Sequence, residues 1–308
     1  MNKIERVLAA LGGQPVDRVP VSFWFHFPAD QRAGHAMAEA HLRYYRAADP
    51  DFLKIMNDNG YPLIGVDAIR TPADWRKLRP APLSSRQFQD QLAGLRELIE
   101  ALSDEVLLVT TVFNPYAVGN DLSGRMVTEH LKADPQAVSV GLATIAESLA
   151  QFAEACIQAG AAGVYFSAQG GEVDRFTAEE HARFIKPHDL TVLRAAEAAG
   201  ARCNLLHICG AGLRLDAYAD YPAHAVNWAP QLGNLSLSQG RALFRRTIVG
   251  GVDQRGPIVD GSREQIQAEV RAAIAEMGKI GFMVGAGCTV PDDIDIAHLV
   301  WAREAVLD

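Results

Sequence analysis

Eight short runs rich in β-branched and aromatic residues punctuate the chain. They lie at 19–25 (VPVSFWF), 52–57 (FLKIMN), 106–113 (VLLVTTVF), 163–168 (GVYFSA), 203–209 (CNLLHIC), 224–230 (HAVNWAP), 247–253 (TIVGGVD) and 281–288 (GFMVGAGC). Between them Ala, Leu, Glu and Arg return at helical spacing, as in SVGLATIAESLAQFAEACIQAG and SREQIQAEVRAAIAEMG, which is the pattern of amphipathic helices. Glycines end several of these helices just before the next run (QAGAAGV, EAAGARC), and TAEEHARF and SREQ carry capping-box starts. Strand and helix alternating through 308 residues predict an α/β fold, a (β/α)8 TIM barrel. The competing doubly wound sheet is disfavoured because no G-x-G-x-x-G follows the first run. No repeat or Pro/Ser-rich linker divides the sequence. A single domain over 1–308 is expected, with 71–105 and 114–140 as inserts decorating the barrel mouth.

Composition narrows the function classes. A hydrophobic share of 49% is enough to fill one large core. The 37 acidic residues exceed the 29 basic ones, so no basic surface for nucleic acid is expected. The opening MNKIERVLAALGGQPVDRVP reads as a short amphipathic helix and a turn, and no uninterrupted apolar run approaches the ~20 residues of a membrane span. Four cysteines (156, 203, 209, 288) are too few for a disulfide framework and are read as thiols in a reducing compartment. A cytoplasmic enzyme with neither membrane nor nucleic-acid partners is the expectation.

Residues i and i+2 of a strand share a face, so the run at 203–209 sends His207 and Cys209 to one side and Ile208 to the other. Both fall at the strand's C-terminal end, where barrel active sites lie. Cys288 closes the last run in the same way. One His and two Cys form the ligand set of a catalytic zinc, the fourth position being left to water or substrate. The alternative is three ordinary buried side chains, since free cysteine is among the most buried residue types.

Other strand ends supply secondary candidates. Gln169, Glu172 and Asp174 follow the run at 163–168, with Glu172 either a fourth ligand or a solvated loop acid. Asn57 and Asp58 follow 52–57 in NDNG, a composition that also suits a plain turn. Asp253, Gln254 and Arg255 follow 247–253, where Arg255 either grips a carboxylate or sulfonate or belongs to a structural turn. His26, after the aromatic VSFWF, either looks into the mouth or packs.

Taken together, HICG after a strand, a cysteine about 80 residues on, IVGGVDQRGPIVDGSREQI and the opening RVLAALGGQPVDRVPV resemble the uroporphyrinogen decarboxylase superfamily. Within it they look most like the zinc-dependent cobalamin (methylcobamide:thiol) methyltransferases. That resemblance implies a (β/α)8 barrel with zinc on His207, Cys209 and Cys288. It also implies methyl transfer between a corrinoid carried by a partner protein and a small-molecule thiol or other methyl donor. No D-x-H-x-x-G corrinoid motif occurs in this chain, in keeping with a corrinoid brought by that partner. In the decarboxylases an aspartate after the second strand contacts the tetrapyrrole nitrogens, and Asp58 matches its place. Their arginine-rich segment after the first strand is replaced here by VSFWFHFPADQRAG, nearly neutral until Arg32. Two further readings remain: a cofactor-free decarboxylase or lyase on the same barrel, and a non-catalytic corrinoid- or metal-binding protein.

Overall fold

The computed structural model describes residues Met1–Leu307. Seven parallel strands are hydrogen-bonded in chain order. They are β1 (Phe52–Ile55), β2 (Leu107–Phe113), β3 (Gly163–Ala168), β4 (Leu205–Ile208), β5 (Ala225–Asn227), β6 (Thr247–Val252) and β7 (Phe282–Ala286). Each pairs only with its sequence neighbours, and helices fill the crossovers, so the sheet curls as a single-domain TIM-barrel-like α/β fold.

The first predicted strand is the exception. Residues 19–25 form a single bridge, Val21 to Val284, rather than a regular strand. The segment still closes the barrel. On one side Ser22 N donates to Val284 O (3.1 Å) and Val284 N donates to Pro20 O (2.8 Å). On the other, Asp51 N donates to Val21 O (2.8 Å). The remaining bonds on that side come from side chains: Val21 N donates to Asp51 Oδ2 (2.9 Å) and Ser22 Oγ to Phe52 O (2.7 Å). Pro20 lacks an N–H, and two side chains stand where main-chain partners would, so no ladder propagates.

Asp51 is the fully buried post of that closure. Its carboxylate takes Arg6 Nη1 (2.9 Å) and both Arg18 Nη atoms (2.6 and 2.8 Å), besides Val21 N. Removing one partner of a buried ionic cluster strands the others. Asp51→Ala is therefore expected to destabilise the fold by about 3–5 kcal/mol, read as a lowered urea midpoint. An unchanged midpoint would show that the closure does not depend on this carboxylate.

Local signals hold where they were strongest. Thr177 with Glu180, and Ser262 with Gln265, both form reciprocal capping boxes. The predicted run 203–209 shortens to Leu205–Ile208 because Asn204 diverts the ladder: its Oδ1 accepts Val164 N, and its N donates to His224 Nδ1. The inserts 71–105 and 114–140 are largely helical. Among the described residues one helix, Pro135–Gln158, is long and apolar enough to cross a membrane. More than half of its apolar window is buried against the rest of the fold, as in the core helix of a globular domain.

Candidate metal centre

Inward positions of neighbouring strands come into register at the C-terminal end of the barrel. Ser167 of β3, His207 of β4 and Asn227 of β5 lie side by side in one row. Cys209 follows one residue beyond β4, held there by its N–H to Ala168 O (2.9 Å). Gly210, at φ +139°, then turns the chain away, a conformation that side-chain-bearing residues rarely adopt. Cys288 stands two residues past β7. The three predicted residues thus converge: His207, Cys209 and Cys288 offer donor atoms that all lie within 4.8 Å of one another.

The imidazole is fixed in one tautomer by its neighbours. Asn227 Nδ2 donates to Val249 O (2.9 Å) and Ala286 O (3.0 Å), so its Oδ1 can only accept. That Oδ1 meets His207 Nδ1 at 2.6 Å, which places the ring proton on Nδ1 and leaves the Nε2 lone pair bare. Nε2 lies 3.5 Å from Cys288 Sγ. Two atoms sharing a tetrahedral metal at ordinary Zn–N and Zn–S lengths stand roughly 3.5 Å apart, so the donor set fits such an ion. A hydrogen bond between the thiols, donated by Cys209 to Cys288, pushes the Cys209 thiol up and holds the Cys288 thiol down.

A cavity of about 130 Å³ opens on the triad. Its walls include Lys54, Met56, Thr111, Tyr165 and Gln169. Tyr165 stacks on His207 with centroids 5.4 Å apart at 24°. Lys54, only 3% exposed, sets Nζ 2.7 Å from Met56 Sδ and 4.3 Å from the Tyr165 ring centroid. Burial pushes the Lys54 ammonium down to about 7, while Cys288 and Asp58 pull it the other way.

His26 and Phe113 also belong to the wall of a second, larger chamber of about 570 Å³. There His26 Nδ1 meets both Asp58 oxygens (2.9 and 3.0 Å), and Arg32 Nε lies 3.9 Å from Asp58. Burial works to raise the Asp58 pKa, but the His26 hydrogen bond and the nearby Arg32 hold it below the usual value.

The secondary candidates divide into two groups. Gln169 and His26 line the metal cavity, and Asn57, Asp58 and His26 line the chamber. Glu172 is engaged by Arg175 (2.8 and 3.2 Å) and, among the described residues, is not in the converging donor group. Asp174 is exposed. Asp253 Oδ1 accepts Arg255 N (2.9 Å) and the Arg255 side chain is exposed, which is the geometry of a turn. Gln254 is buried next to Gly287, beside Cys288. Lys54 lies inside β1, and Asn227 ends a β5 that stops three residues short of the run 224–230, so neither stood at an expected strand end. Lys54 had a visible signal, a lone charge in the apolar run FLKIM.

No curated protein matches the chain. Among solved structures, a methyltransferase from Methanosarcina mazei superposes with a TM-score of 0.77 at 18% identity, covering 99% of this chain and 98% of that one. A B12-independent methionine synthase from Shewanella sp. W3-18-1 superposes at 0.65 with 12% identity, over 94% and 96% of the two chains. At these identities the likeness is one of fold. The sequence model for uroporphyrinogen decarboxylase (URO-D) matches residues 53–308, all seven strands but β1's first residue. The chain belongs to the uroporphyrinogen decarboxylase family.

Proposed function

We propose that the chain is a zinc-dependent methyltransferase that moves a methyl group between a small-molecule thiol and a corrinoid presented by a partner protein. The observation that carries this reading is the convergence of His207, Cys209 and Cys288, with Nε2 left bare by Asn227. These three side chains would hold the metal. When bound, it supplies a site at which a substrate thiol is a thiolate at neutral pH. Asn227 keeps the imidazole oriented, and the stacked Tyr165 ring limits its rotation. Lys54 Nζ takes up the proton that the thiol gives up and then offsets the sulfur's charge. Met56 and the Tyr165 ring pack against the Lys54 amine and restrict water there, which strengthens both interactions.

Both fold neighbours, a methyltransferase and a methionine synthase, support methyl transfer as the chemistry. Decarboxylation of a polyanionic tetrapyrrole is disfavoured by the walls. Among the described residues the linings of the two cavities include one arginine, Arg32, which lies against Asp58. Several substrate carboxylates would then be buried without partners, at a cost of several kcal/mol each.

The direct test is methyl transfer from methylcobalamin to a panel of thiols, using protein as purified, chelated, and chelated then reloaded with zinc. Loss of turnover on chelation and its recovery with zinc are expected. Full activity in the chelated protein would end the zinc reading. Transfer only from a donor that lacks a corrinoid would end the corrinoid half alone.

A further inference from the structure

Beside the metal cavity the chain builds a chamber that the chemistry above does not use. Its volume, about 570 Å³, lies within the roughly 300–1,000 Å³ typical of small-molecule sites. The 130 Å³ cavity on the triad has room for little more than a reacting group, so the body of any substrate must lie elsewhere. The chamber is the adjoining space, because His26 and Phe113 face both.

Its walls state what that body is. Phe88 and Phe152 stack at 4.8 Å and 16°, and Tyr61 meets Phe88 edge-on at 5.9 Å and 81°. Val118, Leu122 and Leu149 complete an apolar lining. Aromatic faces and edges favour a flat ring over a branched or charged group. The charges at the rim are mutually engaged: Asp58 holds His26, Arg32 lies 3.9 Å from the same carboxylate, and Arg32 Nε donates to Phe27 O at 2.7 Å. A sulfonate or carboxylate entering here would meet Asp58 and Asp121 and share with Asp58 an arginine whose Nε is held by Phe27 O.

We infer that the substrate is a neutral small molecule with an aromatic or comparably flat apolar body, seated against Tyr61, Phe88 and Phe152, whose heteroatom reaches past His26 and Phe113 to the triad. This deepens the proposed function and rests on it for the role of the heteroatom. The chamber's binding of rings does not depend on the metal.

Isothermal titration separates the two. Four probes are used: benzyl thiol, 2-mercaptoethanol, 2-mercaptoethanesulfonate and anisole, each against zinc-loaded and chelated protein. Benzyl thiol is expected to bind the loaded protein about 10- to 100-fold tighter than 2-mercaptoethanol, the gain from burying one ring. The sulfonate should bind no better than 2-mercaptoethanol. Anisole should bind loaded and chelated protein alike. Leu122→Trp, at a partly exposed wall position, and Leu149→Trp, deeper in, should each weaken both ring probes at least tenfold while zinc content stays at the wild-type level. The inference is overturned if the ring confers no advantage, if the sulfonate binds best, or if both folded tryptophan variants bind rings as well as wild type. Ring binding by a protein that holds no zinc leaves the chamber assignment standing and removes the metal reading. Zinc without ring binding does the reverse.

Discussion

Cys288→Ala is expected to release the metal. The residue would supply one of two thiolates, and the two remaining donors, His207 and Cys209, come from a single strand end. A pair on one strand end cannot enclose an ion from opposite sides, so affinity should fall by more than the roughly 10–100-fold that loss of a partner behind a ligand costs. Asn227→Leu provides that graded comparison. It leaves every donor in place but frees the imidazole to rotate and to place its proton on Nε2. Competition with a chromophoric chelator measures both variants, and circular dichroism confirms that each still folds. The expected order of affinity is wild type, then Asn227→Leu, then Cys288→Ala, with His207→Ala and Cys209→Ala grouped with the last. Wild-type affinity in Cys288→Ala would mean that the three donors converge for packing alone.

Lys54→Met is expected to stabilise the chelated protein, and the gain should depend on pH. The amine is buried and titrates at about 7 in the folded protein, against 10.5 for a free lysine. Below pH 7 both states carry the proton, and the fold bears the whole cost of a buried charge, up to roughly 5 kcal/mol. Between 7 and 10.5 the unfolded chain binds the extra proton, so wild-type stability climbs with pH. Above 10.5 the cost has gone. Methionine keeps the stem and discards the charge, so its advantage should be greatest near pH 6 and shrink steadily towards pH 10. Cys288 and Asp58 attract the ammonium, and losing that attraction in the methionine variant offsets part of the gain. Urea midpoints for the pair at pH 6, 8 and 9.5 test this, and a gain that does not vary with pH would place Lys54 outside a dry environment. In the zinc-loaded protein the same substitution should slow methyl transfer, because it removes the amine that lines the cavity beside the triad.

The sequence carried the architecture further than the site. Seven of the eight predicted strands form, and the local signals read around them hold in part: helices start at the capping boxes of Thr177 and Ser262 and stop at Gly160, Gly200 and Gly278. The run at 19–25 carried the same apolar signal, yet Pro20, Ser22 and Asp51 together replace its ladder, and Asp51 lies some thirty residues away. Period-two spacing sufficed to put His207 and Cys209 on one face; their meeting with Cys288 needed the barrel to curl. Asn227 was invisible for a related reason. Its role follows from lying opposite His207 in the register of β4 and β5, which no local pattern encodes. Arg255 had two readings, a grip on a carboxylate or sulfonate and a turn residue; its backbone N donates to Asp253 Oδ1 in a turn and its side chain is exposed.

The closing segment also decides when this protein can become whole during synthesis. Its partner Val284 lies near the far end of the chain, and the helix before it is tied across the same gap, Thr247 Oγ1 donating to Ala10 O at a separation of 237 residues. Arg303 Nε reaches back to Asp49 O across 254. Contacts so distant in sequence form late and slowly. Until β7 leaves the ribosome, the nascent sheet has two open edges, the 19–25 segment and whichever strand was made most recently, each able to pair with another chain. Loss of the chain from β7 onward should therefore leave both edges open and cost the protein its solubility, read as its share in the soluble fraction.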